Sequence, residues 1–349
     1  MLIQGLSSPI VGALVCLTAL ACSRSDGAGL GTPDRADADA PAPADSGHED
    51  SEIGEDAEIG GDAEAGGDVG VTDLPRVDAG ELPRQVTIGG ARPTTLVVPQ
   101  TYDGSPTPLV IGLHGYTSNG EDLGAYFGLA ARADSRGYFF LSPDGTREAA
   151  GARNRFWNAT SACCNFAGSS VDDSGYLVGL IDETSALFNI DPKRVYVAGH
   201  SNGGFMSYRL ACDAADRIAA IVSLAGATHI DAANCRATEA VSVLQIHGTE
   251  DSVIRYEGGM IFRDAYPGAE QTVARWASRA GCTGGPTETG TLDLDHALAA
   301  EETDILSYSE CAAGVGVQLW RINGGSHVPL FNADYGGRIL DFMFAHPKP

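Results

Sequence analysis

The sequence predicts an α/β domain with a mostly parallel sheet and helices on both faces. Three observations predict it. Several short runs are continuously apolar rather than alternating, as in PLVIGLHG at 108–115, and strands of that kind are buried on both sides. Stretches with apolar residues at helical spacing lie between them, such as Tyr176, Leu177, Leu180, Ile181 and Leu187. Strands and helices alternate along the chain, the order that lays strands parallel with helices crossing over them.

In chain order, residues 10–21 form an apolar run too short to span a bilayer, expected to be the hydrophobic region of a signal peptide covering 1–22. No Lys or Arg precedes it. Cys22 follows Ala19, Leu20 and Ala21, a loose lipoprotein cleavage box, so the alternatives are a lipid anchor at Cys22 and plain cleavage nearby. Residues 23–81 repeat Asp, Glu, Ala and Gly without apolar periodicity. They carry 17 acidic and 3 basic residues, most of the net charge of −24. Such a stretch buries too little surface to offset its ordering entropy and is expected to be a disordered tether. A chain this acidic is repelled by phosphate backbones, which disfavours nucleic-acid binding.

From residue 82 to 349 the composition is that of one folded domain. RQVTIGG and TTLVVP predict a pair of early strands, and 108–115 a buried strand. A helix is expected over 121–135, a strand over 138–145, a loop-rich insertion over 146–170 and a helix over 171–188. RVYVAG is a strand ending in a sharp turn, followed by a helix over 204–212. IAAIVSLAGA and VSVLQIHG are two further buried strands. A helix near 272–280, a strand near 317–322 and a helix near 336–344 complete the chain.

Residues 199–203 read Gly-His-Ser-Asn-Gly. The pattern G-x-S-x-G is weak alone, but between a strand and a helix it is a nucleophile elbow with Ser201 at its tip. A serine needs a base to take its proton, and the base needs an acid to orient it. The order Ser, then acid, then His is that of the α/β-hydrolase fold. His327, in the loop after the strand at 317–322, is the candidate base. Asp251, after the strand ending HG, is the candidate acid, with Glu250 as runner-up. Both stand at strand C-terminal ends, where open α/β sheets bind ligands. The oxyanion donors are expected to be the backbone N–H groups of Asn202 and of Tyr116, the latter in the His-Gly loop after the first buried strand. His247 precedes Asp251 in the same loop and is expected to be structural or to line the site. His200, beside the nucleophile, is expected to buttress the turn and to face substrate rather than act as base. His229, His296 and His346 have no supporting pattern. No spacing of His, Cys or Asp resembles a metal site, and no cofactor is expected.

Of the eight cysteines, Cys163, Cys164, Cys212, Cys235, Cys282 and Cys311 lie in the domain, and an even number in an exported domain suggests disulfides. Cys282 and Cys311 flank one insertion and Cys212 and Cys235 bracket one strand, while Cys163 and Cys164 are either bonded as neighbours or paired elsewhere. Free buried thiols are the alternative.

LHGYTSNGEDL, LSPDGT, FWN, the paired cysteines, VDDSGYL, DPKRVYVAGHSNGGFMSYRLAC, HGTED and GGSHVP together resemble esterases related to polyhydroxybutyrate depolymerases and feruloyl esterases, over about residues 84–345. The resemblance implies an α/β-hydrolase fold and a triad at Ser201, Asp251 and His327. It also implies that Trp157 lines the substrate cleft, where it and Tyr116 could stack on an aromatic acyl group. The expectation is an exported carboxylic-ester hydrolase of the feruloyl esterase type acting on plant polysaccharide esters. A hydroxyalkanoate depolymerase is the alternative within enzymes, with peptidase activity third, and a non-catalytic surface binding protein is the alternative of another class. No polymer-binding module is evident, and nothing in the pattern specifies an oligomeric state.

Overall fold

The computed structural model describes residues 83–349. The expected signal peptide, the acidic tether and the anchor at Cys22 lie outside the described residues.

The elements follow in the order β1 (Gln85–Ile88), β2 (Thr94–Val97), β3 (Thr107–Leu113), α1 (Gly120–Tyr126), α2 (Ala133–Arg136) and β4 (Phe139–Leu141). Next come β5 (Thr146–Arg147), β6 (Arg155–Phe156), α3 (Asp173–Leu187), β7 (Ile190–His200), α4 (Asn202–Asp213), β8 (Ala220–Leu224) and β9 (Ser242–Gly248). The chain closes with β10 (Gly258–Ile261), β11 (Asp264–Pro267), α5 (Ala269–Arg279), β12 (Gly284–Leu292), β13 (Thr303–Ser309), β14 (Val317–Ile322) and α6 (Tyr335–Ala345).

The main sheet has ten strands in the order β1-β2-β4-β3-β7-β8-β9-β14-β13-β12. The run from β4 to β14 is parallel, and an antiparallel pair flanks it on each side. Successive side chains of a strand point to opposite faces. On β3, Leu109, Ile111 and Leu113 pack with α3 and α4 residues such as Leu177, Leu180 and Phe205. Val110 packs on the other face with Phe127, Ile339 and Leu340, near α1 and α6. Burial on both faces explains why these strands read as unbroken apolar runs.

The predicted strands and helices of the parallel core are all present, with two differences. The expected helix over 121–135 is broken: α1 ends at Tyr126 with Phe127 as its C-cap, and Gly128, with φ of 63°, turns the chain before a short 3-10 turn and α2. The second difference is the hairpin β12–β13, which the sequence did not signal. Its residues are Gly-, Thr- and Ser-rich and β12 is largely exposed, so neither an apolar run nor a clean alternation marks it. Disulfides join Cys163 to Cys164, Cys212 to Cys235 and Cys282 to Cys311, the last closing the base of this hairpin.

The strand order reverses between β3 and β7, since the chain first winds outward to β4 and then crosses back to β7. Register places Leu113 opposite Gly199, His200 opposite Leu224, and Gly248 opposite Ile322. The C-terminal ends of β3, β7, β8, β9 and β14 thus form one rim, and Tyr116, Ser201, Asp251 and His327 follow them.

Candidate active site

Ser201 sits between β7 and α4 at φ 54° and ψ −118°, a conformation few non-glycine residues adopt. Its surroundings hold it there. Its N–H donates to the Leu224 carbonyl at 2.8 Å, and its carbonyl accepts from the Phe205 N–H at 3.0 Å. A Cβ on Gly203 would lie 1.9 Å from the Leu113 oxygen, and one on Gly199 would lie 2.2 Å from the Gly203 oxygen. Only glycine lets strand and helix cross this closely.

The Ser201 hydroxyl is 3.0 Å from His327 Nε2, and His327 Nδ1 is 2.7 Å from Asp251 Oδ2. The Asp251 side chain is fully buried. Its other oxygen accepts from the N–H groups of Val253 at 2.8 Å and Ile254 at 2.9 Å. Burial alone would raise its pKa, but hydrogen bonds from His247 and His327 outweigh that and hold it well below the usual carboxylate range. Glu250 is exposed, and among the described residues the side-chain hydrogen bonds of His327 go to Asp251 and Ser201.

Behind the acid runs a buried chain that fixes its own proton positions. The Tyr208 hydroxyl donates to Gln245 Oε1 at 2.9 Å, which sets the orientation of that amide. Gln245 Nε2 then donates to the Gly226 carbonyl at 2.9 Å and to His247 Nδ1 at 3.0 Å. With Nδ1 accepting, the His247 proton is on Nε2, which donates to the Ile254 carbonyl at 2.7 Å and lies 3.4 Å from Asp251 Oδ2. His247 is therefore structural, as expected, and it acts on the turn that carries Asp251. The signal in the sequence was Gln245 and His247, two residues apart on one face of an otherwise apolar strand.

The Asn202 N–H is one of the free donors at the start of α4, and the Tyr116 N–H has no protein acceptor among the described residues. A Cβ on Gly115 would come within 3.4 Å of Ser201 Cβ, so this loop passes directly over Ser201. His114, fully buried, donates from Nδ1 to the Gly115 carbonyl at 2.7 Å and accepts at Nε2 from the Gly145 N–H at 2.8 Å. Burial lowers its pKa and keeps it neutral, as this pattern requires. Fixing the Gly115 carbonyl also fixes the Tyr116 N–H, which points the opposite way in the same planar peptide.

Two sequence expectations change. Trp157 does not line the cleft. It is fully buried, its indole N–H donates to the His114 carbonyl at 3.0 Å, and its backbone is clasped by the Asn202 amide at 2.6 and 3.0 Å. An indole with every surface packed and its one donor satisfied supports the loop from below. His200, expected to buttress the turn and face substrate, instead braces His327: its Nε2 donates to the His327 carbonyl at 2.9 Å and its ring lies 4.9 Å from the His327 ring. Burial, then the neighbouring His327, pushes its pKa down to about 3, so it stays neutral. The aromatic surface beside Tyr116 comes instead from residues the sequence did not single out. Phe166 meets the Tyr116 ring edge-on at 5.3 Å, and the exposed Phe262, on the β10–β11 turn, meets Phe166 at 5.0 Å. His229 is buried and lies apart from the Ser201–His327 pair in hydrogen bonding; His296 and His346 bond only to backbone, His346 through its ring to Phe342 and His296 through its N–H to Leu330.

The phospholipase/carboxylesterase family profile matches residues 97–273. Feruloyl esterase B of Piromyces equi is 30% identical over 228 residues, covering 63% of this chain and 39% of that protein. A probable feruloyl esterase C of Aspergillus niger is 27% identical over 186 residues, covering 51% of this chain and 61% of that protein. A bifunctional acetylxylan esterase/xylanase of Neocallimastix patriciarum is 24% identical over 223 residues, covering 64% of this chain and 29% of that protein. The chain thus spans less than two thirds of the length of each of these relatives. Among solved structures, an acetyl xylan esterase from Aspergillus awamori superposes with a TM-score of 0.52 at 16% identity, covering 75% of this chain and 98% of that one, a likeness of fold.

Proposed function

The chain belongs to the phospholipase/carboxylesterase family, and from that premise we propose that it is an exported serine esterase of the feruloyl type. The observation that carries the proposal is the hydrogen-bonded run Ser201–His327–Asp251 at the reversal point of the sheet. Ser201 Oγ attacks the ester carbonyl while His327 Nε2 takes its proton. Asp251 keeps the other His327 proton on Nδ1 and stabilises the imidazolium. The Tyr116 and Asn202 N–H groups receive the negative charge on the carbonyl oxygen. Collapse expels the alcohol, which takes the proton from His327, and leaves an acyl-serine. Water then attacks, again giving its proton to His327, and the acid departs as Ser201 recovers its own.

The names of the relatives and the ring series Tyr116–Phe166–Phe262 support an aromatic acyl group. Edge-to-face aromatic contacts add about 0.5–1.5 kcal/mol each beyond burial. Export is supported by the apolar run at 10–21 and by three disulfides, which persist in oxidising compartments. The test is turnover of p-nitrophenyl acetate and methyl ferulate by the Ser201→Ala chain. We expect kcat to fall about 10⁴-fold or more with far-UV circular dichroism unchanged. Retained turnover, or no fluorophosphonate labelling of the unaltered chain, would replace this reading with that of a binding protein. Release of hydroxybutyrate in preference to ferulate would move the acyl assignment to hydroxyalkanoates.

A further inference from the structure

The peptide that aims the Tyr116 N–H is held from three sides. Ahead of it, the Gly115 carbonyl is fixed by the His114 ring and also accepts from the Ser118 N–H at 3.2 Å. Behind it, the Thr117 N–H donates to the Arg155 carbonyl at 2.9 Å. The third hold is the side chain of Tyr116 itself. Its hydroxyl donates to Glu148 Oε1 at 2.5 Å and accepts from the Asn154 amide at 3.1 Å. Arg155 lies on β6, and Glu148 and Asn154 adjoin the paired ends of β5 and β6.

The hairpin keeps these groups in place. The Glu148 N–H donates to the Asn154 carbonyl at 2.9 Å, and the Asn154 N–H returns to Glu148 Oε2 at 3.3 Å. One carboxyl oxygen of Glu148 is thus committed to its own hairpin and the other to the Tyr116 phenol. Arg155 is ion-paired with Asp144 at 2.7 Å, and the other Asp144 oxygen accepts from the Gly120 N–H at 3.0 Å, at the start of α1. β6 runs on into Trp157, whose backbone the Asn202 amide clasps. One hairpin therefore grips both segments assigned above to the oxyanion: the Tyr116 loop through Glu148 and Arg155, and the start of α4 through Trp157.

The loop needs such a grip. Thr117, a β-branched residue, stands at φ of 73°, a left-handed conformation that persists only where the surroundings enforce it. Tyr116 is half-buried, so packing alone does not fix its ring. Its one phenol proton is committed to Glu148 and is not free for a substrate. Burial, then the bond to Glu148, raises the pKa of that phenol, so it stays a donor. We propose that Glu148 is a positioning residue: through the Tyr116 phenol it sets the aim of the Tyr116 backbone N–H at the ester's carbonyl oxygen, without itself touching the substrate. The proposal rests on the esterase reading above.

The test compares the unaltered chain with Glu148→Ala, Tyr116→Phe, the two combined, and Glu148→Gln, on p-nitrophenyl acetate and on methyl ferulate. A misaimed donor weakens charge stabilisation in the transition state and leaves ground-state binding alone. We expect Glu148→Ala and Tyr116→Phe each to lower kcat about tenfold on both esters, with KM within about twofold. The combined chain should lose no more than either single variant, because both remove one bond. Glu148→Gln, whose amide oxygen still accepts from the phenol, should recover most of the loss. Additive losses, or a Glu148→Gln chain as slow as Glu148→Ala, overturn the proposal. So does a loss confined to methyl ferulate, which would show that the tether serves the aromatic ring and not the peptide. A lowered thermal midpoint with kcat intact overturns it as well. If Glu148→Ala does not fold, Tyr116→Phe, which deletes one oxygen, carries the same comparison. An unaltered chain inert to both esters and to a fluorophosphonate would sink the esterase reading and the role of Glu148 with it. An active chain matched by Glu148→Ala and Tyr116→Phe would sink the role of Glu148 alone.

Discussion

At Asp251 two histidines meet one carboxylate with unequal roles. His327 takes Oδ2 at 2.7 Å and reaches on to Ser201, while His247 holds the Ile254 carbonyl and stands 3.4 Å from the same oxygen. Removing His247 leaves Asp251 in place in the chain but loosens the turn that aims it. A misplacement of about 1 Å in such a site costs on the order of 10²-fold. We therefore expect His247→Gln to lower kcat on p-nitrophenyl acetate about tenfold to hundredfold with KM within about twofold. Tyr208→Phe, which frees only the Gln245 amide, should give a smaller loss of the same kind. A proportionate rise in KM, or a loss of stability with kcat intact, would show that the chain braces the fold and not the acid. The hydrogen-bonded run Ser201–His327–Asp251 was foreseeable because each of its residue types was sought at a known place in the strand order. Trp157 was not, since a motif says nothing about which side of a loop an indole occupies.

At the scale of elements, the site depends on how the 146–170 insertion is pinned to the sheet. Asp173, the first residue of α3, is fully buried and accepts from Arg92 at 2.7 Å, Thr146 at 3.0 Å and the Asn158 N–H at 2.7 Å. Arg92 in turn stacks on Tyr176 at 3.6 Å. This clamp connects the β1–β2 turn, α3 and the loop that carries Trp157. Removing one partner of a buried pair strands the other, at about 3–5 kcal/mol. Asp173→Ala should therefore lower the unfolding free energy by about 3 kcal/mol in urea titration; a loss below about 1 kcal/mol would show that water takes over the role of the carboxylate. The sequence marked α3 and the parallel strands clearly. It did not mark β12–β13, whose exposed Gly, Thr and Ser residues carry little periodicity and whose pairing is set by β14 and the Cys282–Cys311 bridge.

Among the described residues as a whole, desolvation holds the pKa of several imidazoles below the usual value. Burial lowers the pKa of His114, His200 and His229, that of His200 to about 3. An unfolded histidine titrates near about 6.5. Between about 3 and 6.5 the unfolded chain therefore binds protons that folded His200 refuses, so stability is full above that window and declines as pH falls through it. The depressed Asp251 acts in the same direction at lower pH, where the unfolded carboxylate takes up a proton first. We expect the thermal midpoint to drop between pH 7 and pH 4, and to drop less steeply in His200→Gln. Equal slopes in the two proteins would show that His200 is as free to ionise folded as unfolded.

The sequence by itself determined the α/β class, the order of the parallel strands and helices, and the choice of Ser201, His327 and Asp251 as the residues to look for on one rim of the sheet. These follow from short-range physics: two-sided burial writes an apolar run, helical spacing writes a stripe, and an elbow needs glycines at fixed offsets from Ser201. Only the tertiary structure decided that His200 braces His327, that His247 packs against the turn of Asp251, that Trp157 supports the Gly115–Tyr116 loop from below, and that Phe166 and Phe262 extend the surface beginning at Tyr116. These contacts join residues as far as 127 positions apart in the chain. Their energies depend on packing between elements, which no local pattern encodes.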